Sequence, residues 1–137
     1  MTAPIESFFK FLEDKKGKKL TGIDNLKYRL TYAPETLTKQ DNEIEGNLDL
    51  SGLTSIPKEF NPKVGGILFL SSLTSIPKGF NPTVGGDLFL NSLTSIPEGF
   101  NPKVDGSLYL NSWKSNMTQE ELKKRFPNVK RTIYTKK

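Results

Sequence analysis

The sequence contains no cysteine and no histidine. Their absence excludes disulfide frameworks, zinc sites of the Cys/His type, Cys–His and Ser–His–Asp nucleophiles, and the usual neutral-pH proton shuttle. Long apolar runs are missing as well. Only 34% of the 137 residues are hydrophobic, and none of the runs approaches the roughly 20 residues that a transmembrane helix needs. The first residues, Met1-Thr2-Ala3-Pro4-Ile5-Glu6, lack the basic n-region and apolar stretch of a targeting segment, so a cytoplasmic location is expected. Asn116-Met117-Thr118 matches a glycosylation acceptor only by chance in such a chain. Catalytic motifs are also lacking. Glu43 and Glu45 are carboxylates of the kind used in acid–base chemistry, but they stand two apart with no recognisable pocket around them, and no glycine-rich phosphate loop occurs. The expectation is a single-domain protein that is not an enzyme and uses no cofactor or metal.

What is present is unevenly placed. The formal net charge is +5, yet residues 1–45 balance to zero and residues 46–112 sum to −1, whereas residues 113–137 carry eight basic and two acidic residues. The C-terminal segment therefore holds all the excess positive charge. Lys123, Lys124, Arg125, Lys130 and Arg131 are candidate contacts for phosphates or an acidic protein surface, with a merely solvated face as the alternative.

The strongest internal signal is a repeat. Leu53-Thr54-Ser55-Ile56-Pro57 recurs at Leu73 and again at Leu93, and Phe60-Asn61-Pro62, Val64 and Gly66 recur with it at a period of 20 residues. A fourth copy starts at Ser107-Leu108-Tyr109-Leu110 and then departs, with Trp113 in place of leucine. Such a period is the signature of a solenoid, in which each unit buries its apolar edge against its neighbours. Leu48-x-Leu50 has the two-residue alternation of a short strand, both leucines facing inward, and Leu53, Ile56, Phe60 and Val64 continue the inward set. Pro57 has no N–H to donate to a ladder, so the chain has left the sheet by that point. Asn61-Pro62 turns it on the opposite side, and the recurrent glycine at 46, 66, 86 and 106 supplies a permissive backbone, expected at positive φ. One strand per 20 residues predicts a parallel sheet on one face of the coil.

Leu88-x-Leu90 and the Ile96-Pro97 ending resemble a leucine-rich repeat, in the short form carried by bacterial and bacteriophage proteins. The resemblance covers residues 46–112. It implies an α/β solenoid and a strand-lined face that binds proteins.

The flanks read as caps, residues 1–45 and 113–137. Ile5, Phe8, Phe9 and Leu12 have helical spacing, predicting a helix over 4–16. Leu26 to Tyr32 alternates apolar and polar residues and predicts a strand, its two tyrosines packed in the cap. Thr118-Gln119-Glu120-Glu121 is a capping-box pattern that opens a helix running to about Phe126 before Pro127, with Leu122 and Phe126 packed beside Trp113. Val129 to Thr135 predicts a last parallel strand.

Alternation then fixes what the sheet shows to solvent. The outward middle position reads Asp49, Phe69, Phe89, Tyr109, flanked by Ile67 and Asp87 on one side and by Asn91 and Asn111 on the other. Aromatics on adjacent strands, about 4.8 Å apart, form an apolar patch near the limit that a monomer surface usually tolerates. Cross-strand stacking that stiffens the sheet, or cover from the N-terminal helix, would also account for it. The leading expectation is a protein-binding module, monomeric or weakly dimeric, possessing no membrane contact, of the kind a phage uses to inhibit or regulate a host protein. The alternative is nucleic-acid or ribonucleoprotein binding through the basic tail, as in an inhibitor of a nuclease or an RNA-guided (CRISPR) defence complex. Against that alternative, the outward strand positions of the repeats carry Asp49 and Asp87 and no lysine or arginine.

Overall fold

The computed structural model describes residues 22–58 and 60–136. These residues form a solenoid of about five stacked turns with parallel sheets and two helices. The helix expected over 4–16 lies outside the described residues.

Each coil contributes two short strands. The first sheet holds β1 (Glu43–Ile44), β3 (Lys63–Val64), β5 (Thr83–Val84) and β7 (Lys103–Val104). The second holds β2 (Leu48–Asp49), β4 (Leu68–Phe69), β6 (Leu88–Phe89), β8 (Leu108–Lys114) and β9 (Ile133–Lys136). The single sheet expected on one face is thus two. Val64 and its equivalents lie on strands of their own, with Lys63, Thr83 and Lys103 on the outer side.

All pairing within the repeats is parallel and offset by 20 residues, as Leu48↔Leu68↔Leu88↔Leu108 and Ile44↔Val64↔Val84↔Val104 show. Equivalent positions of the repeat therefore stack on one another, leucine on leucine and, after Ile44, valine on valine. Leu48, Leu50, Leu53, Ile56, Phe60 and Val64 of the predicted inward set are buried in one core with their later copies, except that Ile76 and Ile96 are only partly buried against it. Each buried phenylalanine or leucine contributes about 1.5–3 kcal/mol relative to exposure.

The corner between the sheets explains the glycines. Only Gly46 of the recurrent set has positive φ, at 73°; the other positive-φ residues among those described are Gly79 and Gly99, in the turn that follows Pro77 and Pro97. Gly66, Gly86 and Gly106 are required by close approach instead. A Cβ on Gly106 would lie 2.2 Å from Asp87 Oδ1, the oxygen that accepts the Ser107 N–H at 2.8 Å. Asn47 holds the Ile67 N–H in the same way.

Asparagine does similar work at the opposite turn. The Asn61 N–H donates to Asn42 Oδ1 at 3.0 Å, Asn81 to Asn61 at 2.7 Å, and Asn101 to Asn81 at 2.6 Å. This ladder clamps consecutive coils where buried Pro62, Pro82 and Pro102 cannot donate. The third side of the coil, around Leu-Thr-Ser-Ile-Pro, has no sheet. Its backbone link is Thr74 N–H to the Thr54 carbonyl, supplemented by the Ser92 and Ser112 hydroxyls donating to the Ser71 and Asn91 carbonyls.

The ends depart from the repeat. The predicted strand at Leu26 to Tyr32 is instead helix α1 (Gly22–Tyr32), with Leu26 and Leu30 buried in the core. Arg29 of α1 makes a two-pronged pair with Asp41 at 2.5 and 2.7 Å. At the other end, helix α2 (Gln119–Arg125) has the predicted capping box between Thr118 and Glu121. Phe126 meets Trp113 edge-on at 5.9 Å. The helix replaces the Leu-Thr-Ser-Ile-Pro side of the last full turn, and the coil lengthens accordingly: Val104 bridges Val129 and Leu108 pairs with Ile133. No helix among the described residues is long and apolar enough to cross a membrane.

Candidate functional site

Because β2, β4, β6, β8 and β9 run in register, their outward middle residues form one continuous row. Phe69 and Phe89 stack with ring centres 5.2 Å apart and planes within 8°. Phe89 and Tyr109 do so at 4.3 Å and 8°. The row then extends one step further than the repeat indicates, to Tyr134 on β9, 4.7 Å from Tyr109 and tilted by 14°. Tyr134 is missed by reading the sequence at a period of 20, because α2 shifts its register to a spacing of 25 from Tyr109; Tyr109↔Tyr134 pairing reveals it.

The rings stack face to face along the coil axis and show their edges to solvent. Phe69, Phe89 and Tyr109 are half-buried, and Tyr134 is exposed. Partial desolvation of the Tyr109 hydroxyl, then repulsion from the Asp87 carboxylate and from an ionised Tyr134, raise its pKa above the ordinary phenol value.

The polar residues around the row are partly engaged with the coil itself. Asp49 Oδ1 accepts the Ser51 hydroxyl at 2.5 Å and the Ser51 N–H at 3.0 Å. These two bonds, with Lys27 of α1 adding a weaker attraction, hold the Asp49 carboxyl below its usual range. Asp87 accepts from Ser107, and Asn91 from the Asn111 N–H at 3.4 Å. Ile67 is half-buried beside Phe69, and Asn111 is exposed at the far side. The rim is therefore fixed in position and acidic at Asp49 and Asp87.

Compared with protein-family models, curated proteins and solved structures, the chain matches none.

The basic segment splits into two kinds of cation. Lys123 Nζ donates to the Val129 carbonyl at 3.0 Å and also to that of Arg131. Arg125 donates to the Phe100 and Pro97 carbonyls at 3.0 and 3.1 Å and lies over the Phe126 ring at 4.7 Å. Both thus bind α2 to the coil, Arg125 through carbonyls on the side that has no sheet and Lys123 through carbonyls of the segment that leads into β9. Lys130 pairs with Asp105 at 3.2 Å on the surface. Lys124 and Arg131 remain exposed.

A hollow lies over the other sheet, not over the aromatic row. It is a groove of about 670 Å³ lined in part by Gly65 and Gly85. Glu43, Glu45 and Asp105 face Lys63, Lys103 and Lys130 around it, so its charges balance.

Proposed function

We propose that this protein is a non-catalytic binding module that grips a protein partner along the flank of the aromatic row. The observation that supports it is the unbroken series Phe69, Phe89, Tyr109, with ring edges half-exposed on a rigid sheet and a fixed polar rim. Aromatic anchors surrounded by small polar residues are the composition of a binding hot spot. The rim carboxylates Asp49 and Asp87 select a partner segment whose apolar side chains are bordered by lysine or arginine. Resemblance of the Leu-x-Leu strand and Ile-Pro ending to leucine-rich repeats of bacterial or bacteriophage type points the same way, since that family binds proteins with its strand-lined face. In that setting the partner is a host protein that the module inhibits or regulates.

The test is affinity capture from bacterial lysate treated with nuclease, using the wild type and a Phe69→Ser/Phe89→Ser variant in parallel. The wild type retains a protein in stoichiometric amount and the variant loses it, while circular dichroism shows both folded. Equal capture by the two, together with a lower melting temperature for the variant, would mean that the rings serve only to stiffen the sheet.

A further inference from the structure

The aromatic row has two unlike ends. At the first, the position after Phe69 is Asp49, an acid held by Ser51 and close to α1. At the other, among the described residues, the row ends at Tyr134 on β9, the outermost strand of its sheet. Tyr134 is 42% exposed, and among the described residues no ring stacks on its outward face. Its outward side is where the next ring would continue a stack whose spacings run from 4.3 to 5.2 Å.

Cations stand beside it. Lys136 is two residues from Tyr134 on the same strand, and both are exposed, whereas Ile133 before them is buried and Thr135 between them is half-buried, so alternation places Tyr134 and Lys136 on one face. Lys136 is also the register partner of Lys114 on β8. Both lysines are exposed, and neither makes an ion pair among the described residues. Like charges directly opposite each other on paired strands are unfavourable, and an anion between them relieves the repulsion. The objection that the outward strand positions lack lysine and arginine therefore does not apply at this edge.

A free aromatic face with phosphate-attracting cations alongside is the arrangement that holds single-stranded nucleic acid. We propose that the C-terminal edge of the row binds a single strand, one base stacking on Tyr134 as the fifth ring and the adjoining phosphates lying against Lys136 and Lys114. A duplex keeps its bases stacked inside and offers none to Tyr134, so the site discriminates against it. It is separate from the flank assigned to a protein partner: it uses the end of the row and not its length.

Fluorescence anisotropy of a labelled oligothymidylate with the full-length protein tests this. The wild type binds saturably at low salt, and more tightly than it binds a hairpin duplex of the same charge. Tyr134→Ala weakens binding roughly tenfold, as loss of a base–aromatic stack does, whereas Tyr134→Phe stays within about twofold. Lys114→Gln/Lys136→Gln both weakens binding and flattens its salt dependence. Unchanged melting temperatures establish that the exposed-site variants are folded. The proposal is overturned by an absence of saturable binding, by Tyr134→Ala binding as well as wild type, or by equal affinity for the duplex.

Discussion

Single side chains decide much of how this coil holds together, and several act through bonds that their charge alone does not suggest. Asp41 is the clearest case. The Arg29 guanidinium, and behind it the Thr38 N–H and hydroxyl, hold its carboxyl down to about 2, against an ordinary value of about 3.9. A carboxyl whose pKa is lower in the folded state stabilises that state above its unfolded pKa and ceases to do so as pH falls through the folded one. Asp41→Asn should therefore lower stability at pH 7 by about 1–2 kcal/mol, allowing for the partial exposure of the pair. The gap should close between about pH 4 and pH 2. Urea unfolding at the two extremes checks this, and a gap that does not change with pH would show that Asp41 acts by shape alone. Lys123 and Arg125 carry a related lesson. In the sequence they are simply part of a basic run; only the fold shows that backbone carbonyls of Val129, Phe100 and Pro97 lie within their reach.

At the scale of elements, legibility tracks how many residues carry the pattern. The Leu-x-Leu strand and the inward set through Phe60 were legible because several buried residues recur together. The sheet of β1, β3, β5 and β7 was not, since each of its strands is two residues long and buries at most one, Val64 or its equivalent, which gives no alternation to detect. Helix α1 reads as a strand for a different reason. Leu26, Tyr28, Leu30 and Tyr32 alternate at period two, but Leu26/Leu30 and Tyr28/Tyr32 are also four apart, the spacing of helix neighbours, and the tyrosines do meet at 5.3 Å. In the candidate site, Phe69, Phe89 and Tyr109 follow from the repeat, while Tyr134 depends on a register that the inserted helix changes. The glycine corner gives an element-level prediction. A Cβ on Gly85 would lie 2.3 Å from the Gly65 carbonyl oxygen, backbone that cannot move aside without parting two coils, whereas one on Gly52 meets nothing within 4 Å. Gly85→Ala should cost about 1–3 kcal/mol or more, and Gly52→Ala should be neutral or stabilise by about 0.4–1 kcal/mol. Thermal unfolding of the two variants side by side distinguishes a real close approach from a general intolerance of side chains in the turns.

For the whole molecule, what matters is that each coil touches only its neighbours. Stability is then close to a sum over coils and the interfaces between them. Deleting residues 73–92 removes one complete period and rejoins chemically equivalent positions, so the shortened protein should still fold, with a lower melting temperature. Removing residues 115–137 should not be tolerated in this way. It strips α2, β9 and the bridge at Val129 from a face where Leu108, Leu110 and Phe100 are fully buried, and aggregation on size-exclusion chromatography is the expected result. A monodisperse folded product from the second deletion would show that the last coil is dispensable.

The fixed offset of 20 residues between β2, β4, β6 and β8 also makes the molecule a ruler. A coding repeat of constant length can be gained or lost in frame, and each event would lengthen or shorten the aromatic row by about 4.8 Å while leaving both ends as they are. The dimension most open to inherited change is therefore the reach of the row, and if the row binds as proposed, its length could be fitted to a partner's span without a new kind of contact.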